Sequence, residues 1–586
     1  MSDTADTRPD LVLGPALRRV EAGRATVWVE MARAGTVEIR TPGPAGGAAR
    51  TFSAYQHHYA LVVVDGLAPE SATPYEVYFD GVRVWPVDGD PYPAPVIRTS
   101  TPDAPVRLLF GSCREASPYS NNRYPPDALD AYAVRLAGED AEHGAENHPH
   151  RPDLLVLLGD QVYADETPEK IRRWLRRRGN RRPDAPRTQV VDFHEYTRLY
   201  LDSWTDPEIR WLLSTVPSVM IFDDHEIIDD WNSSAAWREE IAKQSWWPQR
   251  IRSGLASYWV YQHLGNLAPS QLGADPVYSA VIAADDATAV LEEFGTRADA
   301  ERDSYRWSYA LDVGRTRLIM LDNRCGRQLE PGNRAMLPER EWNWFSDSLA
   351  GDYDHLVIGS SLPWLMPPAI HHLEAASELL AESPRPIVAA AAERLRRAVD
   401  LEHWAAFGRS FEALGALLGQ IAAGAGGVAP APATISVLSG DVHHSYVARA
   451  LLGTPDHSPV HQLTCSPVHN DVPRAVRPAM RLGWSTVAAK AMRALARSAG
   501  VPRPGVRWRR VAGPYFGNAA GLLVHHGRTS RVTIEGTTAD KHLVSVAQVN
   551  LSRPDSEQQP AQLPVRPPAQ RPASRPAAAD PDAVRL

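Results

Sequence analysis

The chain has 586 residues, 44% of them hydrophobic, with 17 Trp, which is enough to fill a large core and more than one domain. A net charge of -8 gives no support to a nucleic-acid surface or an anionic membrane as the main partner, and three cysteines are too few for a disulfide framework. The opening MSDTADTRPD has no basic-then-apolar signal, and no apolar run approaches the roughly 20 residues that span a bilayer, so a cytoplasmic protein with reduced thiols is expected.

Residues 8–102 read as all-β. Segments 25–31, 36–41, 58–64 and 75–79 are short, β-branched and aromatic, with turn residues between them, the pattern of an antiparallel sandwich. The stretch GLAPESATPYEVYFDG resembles the strand-turn-strand of fibronectin type III domains, so a small fibronectin III/Ig-like domain is expected. It carries no cluster of acid-base residues, and its expected role is a supporting one.

Residues 103–551 are expected to form the catalytic domain, of α/β class. Continuous apolar runs read as strands buried on both faces, and such strands deliver the residues after them to the carboxyl edge of the sheet. RLLF (107–110) runs into Ser112-Cys113-Arg114, and DLLVLL (153–158) into Gly159-Asp160, with Tyr163 and Asp165 close behind. SVMIF (218–222) runs into Asp223-Asp224-His225-Glu226, and RLIML (317–321) into Asp322-Asn323-Arg324. LVI (356–358) precedes Gly359-Ser360-Ser361, and ISVL (435–438) precedes Ser439-Gly440-Asp441-Val442-His443-His444. Helices are predicted within 127–136 and 193–211, and a helical insertion over about 370–428 that forms a cap. The run RRWLRRRGNRRP (172–183) has two readings, a surface attracting a phosphorylated substrate or an exposed helix end. Residues 552–586, mostly Pro, Ala, Gln and Arg, read as a disordered tail.

Burying an ionised carboxylate is expensive unless a cation accompanies it. Carboxylates, a thiol, a phenol and imidazoles gathered at successive strand ends therefore point to metals. For Cys113 the other reading is a small buried hydrophobe, and for His225 a core histidine with satisfied hydrogen bonds.

The motifs GDQVYAD, DDHEIIDD and SGDVHHS, preceded by Ser112-Cys113, resemble in order the series of the PhoD-like (alkaline phosphatase D) family of calcineurin-like metallophosphoesterases. The resemblance implies a four-layer sandwich, two mixed sheets flanked by helices, and phosphomonoester or phosphodiester hydrolysis at a metal cluster. It implies Fe3+ held by Cys113, Asp160, Tyr163 and His443, with Asp160 shared with a second ion. Asp224 and Asp441 stand where that superfamily usually has Asn and His, and an oxygen-rich second site suits Ca2+, or Mn2+ in its place. A hydroxide bridging the metals would attack phosphorus in line, His225 would serve the leaving oxygen, and Arg114 would hold a phosphate oxygen. Arg324 has the same potential role, or pairs with Asp322; His444 and Asn518 would orient ligands; Asp223 and Asp229 are weaker metal candidates. The expected substrate is a phosphoester, small or polymeric. The alternative is a metallophosphoesterase-fold binding protein without activity.

Overall fold

The computed structural model describes residues 10–115, 124–144, 150–179, 181–425, 430–452 and 457–553. The expected tail lies outside them, apart from Ser552 and Arg553. No described helix is long and apolar enough to cross a membrane.

The N-terminal region is all-β. Eight strands between Leu11 and Trp85 pair antiparallel in one sheet. Val27, Val29, Val37, Ile39, Val62, Val64, Val77 and Phe79 fill one core, whereas Trp28, Tyr59 and Leu61, from the alternate positions, join the core shared with the helices C-terminal to this region. Buried Arg18 fastens this sheet down, donating to the Gln262 carbonyl at 2.7 Å and to Asn266 Oδ1 at 3.0 Å.

Two mixed sheets make up the rest of the framework. The six-stranded sheet runs Ser218–Met220, Leu154–Leu157, Val106–Gly111, Ala519–His526, Thr529–Thr537, Leu543–Asn550 in spatial order. The first three strands are parallel, and Val106–Gly111 pairs antiparallel with Ala519–His526. The seven-stranded sheet runs Tyr309–Val313, Thr316–Leu321, His355–Ser360, Thr434–Ser439, Val460–Thr464, Ser445–Leu451, Arg507–Tyr515.

Side-chain alternation explains the layering. Leu108, Phe110, Leu154, Val156, Leu158, Leu318, Met320 and Val357 share one core between the sheets. The alternate Leu109, Leu155 and Leu157 face outward into the core that holds the helices Ala128–His143, Phe193–Trp204 and Pro207–Thr215. On the far side Ile319, Leu321, Ile358, Ile435 and Val437 pack against Gly408–Ala422 and Glu339–Ser348. Each parallel strand is buried on both faces, which is why its sequence reads as an unbroken apolar run. The expected four-layer α/β arrangement is observed.

The insertion forms three helices, Pro368–Ala381, Pro386–Ala398 and Gly408–Ala422. Among the helices that sequence periodicity did not single out are Ala235–Ile241, Trp247–Tyr258, Pro276–Ala283 and Thr288–Ala300, whose aromatic residues pack into the helical core.

Candidate metal centre

The parallel strands of both sheets end at one place. There the backbone turns sharply, and Cys113, Asp160, Asp441 and His443 all have positive φ, at 60°, 55°, 63° and 49°. Left-handed backbone at four non-glycine residues is unfavourable and persists where surrounding structure imposes it. Glycines allow the strand ends to close up. A Cβ on Gly440 would lie 2.0 Å from Ser112 Oγ, and one on Gly159 would lie 2.5 Å from Asp223 Cβ.

Carboxylates converge on this point. Oxygens of Asp160, Asp223, Asp224 and Asp441 lie within 4.8 Å of one another, and Asp160, Asp224 and His225 form a second such set. Asp160 and Asp224 belong to both. The Cys113 thiol is 3.4 Å from Asp160 Oδ2 and 3.7 Å from the Asp441 carbonyl. Tyr163 is buried beside them, its Oη accepting from Asn470 Nδ2 at 3.1 Å and its ring 4.5 Å from that of His225. Asn518 Oδ1 accepts from the Asn470 backbone at 3.2 Å, so Asn518 positions the residue that holds the phenol. His443 feels the charges of Asp441 and His225, but among the described residues no set of three His, Cys, Asp or Glu donors within 4.8 Å includes it or Cys113.

Burial, then the neighbouring Asp223 charge, pushes the Asp160 carboxyl well above its ordinary range. Burial likewise raises Asp224 to about 6 and lowers His443 to about 4. Burial raises the Cys113 thiol and the Tyr163 phenol, with nearby anions adding to it. Asp160 Oδ1 and Asp223 Oδ2 are buried without a hydrogen-bond partner. Anionic donors crowded together with orphaned oxygens fit one or more cations.

The surroundings hold this arrangement in place. Glu226, buried, accepts from the backbone N–H groups of Asp160 (3.1 Å), Gln161 (2.7 Å) and Asp223 (2.9 Å), clamping two strand ends together. His225 Nδ1 donates to Asp165 Oδ1 at 2.9 Å. Against the effect of burial, the Asp165 and Asp160 charges hold the His225 imidazole well above its usual pKa. Asp229, Asp230 and Asp400 form a third acidic set at the rim.

Arg324 is fully buried and faces four carboxylates. It pairs with Asp223 and Glu402 and lies 3.2 Å from Asp224 and 3.3 Å from Asp441. It does not pair with Asp322 through its side chain. Asp322 caps its own turn, accepting from the backbone of Arg324, Cys325 and Gly326 at 3.1 Å each.

The insertion contributes residues that sequence reasoning missed. Between its second and third helices, Glu402 reaches Arg324 and His403 Nε2 meets Asp441 Oδ2 at 3.0 Å. His403 Nδ1 is held by buried Glu374 at 2.8 Å. No strand of the sheet supplies this imidazole, and the one signal for it was Glu402-His403-Trp404 within an otherwise helical stretch. A cavity of about 500 Å³ lies beside this loop, lined by His371, Leu379, Ala405, Phe411 and Pro502 among others, and none of the acidic cluster lines it.

Arg114 is placed differently from the expectation. Its guanidinium turns away from the cluster, donating to Asp127 at 2.7 Å and to the Ser203 carbonyl at 3.0 Å, and is 3% exposed. Cys113 faces the cluster, and beyond its left-handed turn the Arg114 side chain lies among the flanking helices. The 172–183 run is also largely structural: Arg178 and Arg181 bind Glu195, and Arg173 pairs with Glu169 on its own helix. His444 donates from Nδ1 to the Val442 carbonyl at 2.7 Å and stacks on Phe516.

The model of the PhoD-like phosphatase family matches residues 140–496. The chain belongs to this family. It is a phosphoric ester hydrolase, and the reading as a binding protein without activity is set aside. Residues 8–97 match a domain of unknown function (DUF7800). A solved structure of PhoD aligns over 93% of this chain and 90% of its own, with 13% identity and a TM-score of 0.56, which shows a shared fold. Purple acid phosphatase PPD1 from yellow lupin (Lupinus luteus) seeds aligns over 92% and 74%, with 10% identity and a TM-score of 0.46. No curated protein matches the chain.

Proposed function

We propose that the chain is a metal-dependent phosphoesterase whose ions lie in the acidic cluster at the strand ends. Cys113, Asp160, Tyr163 and His443 would hold Fe3+, and Asp224 and Asp441, with Asp223 and the shared Asp160, would hold Ca2+ or Mn2+. The observation that carries the metal dependence is the crowding of Asp160, Asp223, Asp224 and Asp441 within 4.8 Å, with one Asp160 oxygen left unpartnered, while the Fe3+ assignment to Cys113, Tyr163 and His443 rests on the family resemblance. When bound, the ions would neutralise charge on the phosphoryl oxygens and acidify the attacking water.

The chain's own residues do the rest. Asp165 fixes the His225 ring through Nδ1, which leaves Nε2 free to present a proton to the leaving oxygen of a phosphomonoester or phosphodiester. Glu374 and His403 hold Asp441, while Glu226 holds the Asp160 turn. The family implies a small-molecule phosphoester substrate. We read residues 8–102 as a brace for the catalytic part, 103–551, on the support of the Arg18 anchor.

The test is metal analysis of the purified protein, followed by turnover of p-nitrophenyl phosphate and bis-p-nitrophenyl phosphate. A coloured protein carrying iron, with hydrolysis abolished by chelation and restored by iron plus calcium, is the expected result. A metal-free preparation with undiminished turnover would sink the proposal.

A further inference from the structure

The chain as a whole is acidic, but residues 472–510 contain ten cationic side chains and no Asp or Glu, and the acid-free stretch continues to Ile534. Such an asymmetry is a local electrostatic feature that the net charge of -8 conceals. The segment folds as two helices, Arg477–Gly483 and Thr486–Ser498, and then the strand Arg507–Tyr515. Thr486–Ser498 packs on the insertion helix Pro368–Ala381.

The orientation of the second helix is unusual for a water-facing element. Val487, Ala491, Ala494 and Ser498, spaced as one helical stripe, are all exposed, with Leu495 beside them, while Ala496 on the opposite side is buried. Val487 is 76% exposed and Leu482, on the preceding helix, 59%. Lys490 and Arg497 flank the stripe, and Arg474 and Arg481 lie exposed near Leu482 in sequence. Among the described residues, the one ion pair that a cation of 472–510 makes is Arg477 with Asp471. Arg481 lies over the Phe516 ring and Arg510 over that of Trp484, so the positive charge extends along the surface.

We propose that the outward face of 474–498 docks on the surface of an anionic lipid bilayer. Exposed aliphatic side chains set among unpaired cations fit a headgroup–acyl boundary, where the apolar stripe leaves water and the basic residues meet anionic headgroups. A nucleic-acid surface fits less well, because single-stranded nucleic acid is held by exposed aromatic platforms, and the exposed apolar groups here are Val and Leu. The surface adjoins the candidate centre. Asp471, which pairs with Arg477, directly succeeds Asn470, the residue that holds Tyr163, and Phe516 bridges between Arg481 and His444. Docking would therefore present the hydrolytic site close to the interface. The proposal does not depend on which metals occupy that site.

The experiment is co-sedimentation of the full chain with vesicles of phosphatidylcholine alone and with about 30 mol% phosphatidylglycerol added, an order-of-magnitude surface charge for an anionic leaflet. Binding to the charged vesicles, weakening at high salt, is expected, with at least about tenfold weaker partition to the neutral ones. The double variant Lys490→Glu/Arg497→Glu and, separately, Leu482→Ser/Val487→Ser are each expected to weaken vesicle binding about tenfold or more. Turnover of soluble p-nitrophenyl phosphate, unchanged in both, serves as the folding control. Equal binding to neutral and charged vesicles, or none to either, overturns the proposal. Retention on single-stranded DNA without vesicle binding overturns it in favour of a polyanion site.

Discussion

The strand ends of the two sheets meet at one acidic cluster, but they arrive with different charge. The seven-stranded sheet delivers Arg324, which with His403 from the insertion faces Asp441 and reaches across to Asp223 and Asp224. The six-stranded sheet delivers Cys113, Asp160 and Tyr163, and none of these accepts a hydrogen bond from a basic side chain among the described residues. One side of the centre thus carries a guanidinium buried among its carboxylates, and on the other the positive group facing Asp160 is the His225 imidazole. In the proposed assignment, an ion beside Cys113 and Asp160 would have no guanidinium to compete with and is expected to be held more tightly. An ion beside Asp223 and Asp441 would share those carboxylates with a guanidinium and is expected to exchange more freely. The proposed contrast between a tighter ion and a looser one would come from where a single arginine lies.

Substituting Asp160 tests the side without the guanidinium and has the largest expected effect. Asn accepts the left-handed backbone at this position, so Asp160→Asn should fold, yet lose both ions and about 10³-fold or more in kcat toward the p-nitrophenyl esters. Elemental analysis alongside turnover checks it, and retention of both ions in the variant would remove Asp160 from its shared role.

Arg324→Met tests the compensated side. It leaves Asp223 and Asp224 buried without their cation, while Glu402 keeps Arg327 and Asp441 keeps His403, and should destabilise the metal-free protein by about 3–5 kcal/mol in urea unfolding. Added calcium should recover part of that loss in the variant and change the parent much less. Equal calcium responses would mean that the guanidinium is not the competing charge.

The two sheets also touch through stacked histidines on the strands His355–Ser360 and Ala519–His526, and comparison with a His525 variant separates the pH response of that contact from that of cluster groups such as Asp224. The rings of His355 and His525 lie 3.9 Å apart, and both groups are buried. Burial lowers His355 to about 4 and holds His525 well below its ordinary value. Both are therefore neutral in the folded protein at pH values where the unfolded chain binds protons, below about 6.5. Their contribution is complete above that pH and is lost as pH falls from 6.5 toward 4, by about 3 kcal/mol for His355 alone. Denaturant melts at pH 7 and pH 4.5 should differ in that direction, with a smaller difference in His525→Gln.

The smallest effect is expected at the insertion. His403→Gln keeps a hydrogen bond to Asp441 within reach but removes the Glu374-held imidazole, and should weaken the loosely held ion about 10–100-fold. A calcium titration reads this, while iron content stays at the parent value.

The strand ends were legible because a strand buried on both faces leaves a continuous apolar run, and the abrupt switch to Gly159-Asp160, Asp223-Asp224 or Gly440-Asp441 marks where it surfaces. His403 was not legible. It comes from a segment whose composition announces only helices, and a tertiary approach across the cluster gives it meaning. Arg114 was misread because adjacency to Cys113 says nothing of direction, and the left-handed turn at Cys113 is not visible in the sequence. Arg324 pairs across the site with Asp223 rather than with its neighbour Asp322, a partner 101 residues away that no local pattern identifies.

The pairing of Val106–Gly111 with Ala519–His526 bears on how the molecule is made. During synthesis the former leaves the ribosome some four hundred residues before its neighbour, and until then it is the raw edge of a sheet, apolar on both faces. A nascent chain halted short of Ala519 would keep that edge open to other chains. The order of translation thus leaves an aggregation-prone edge on the half-made protein until its last strands arrive.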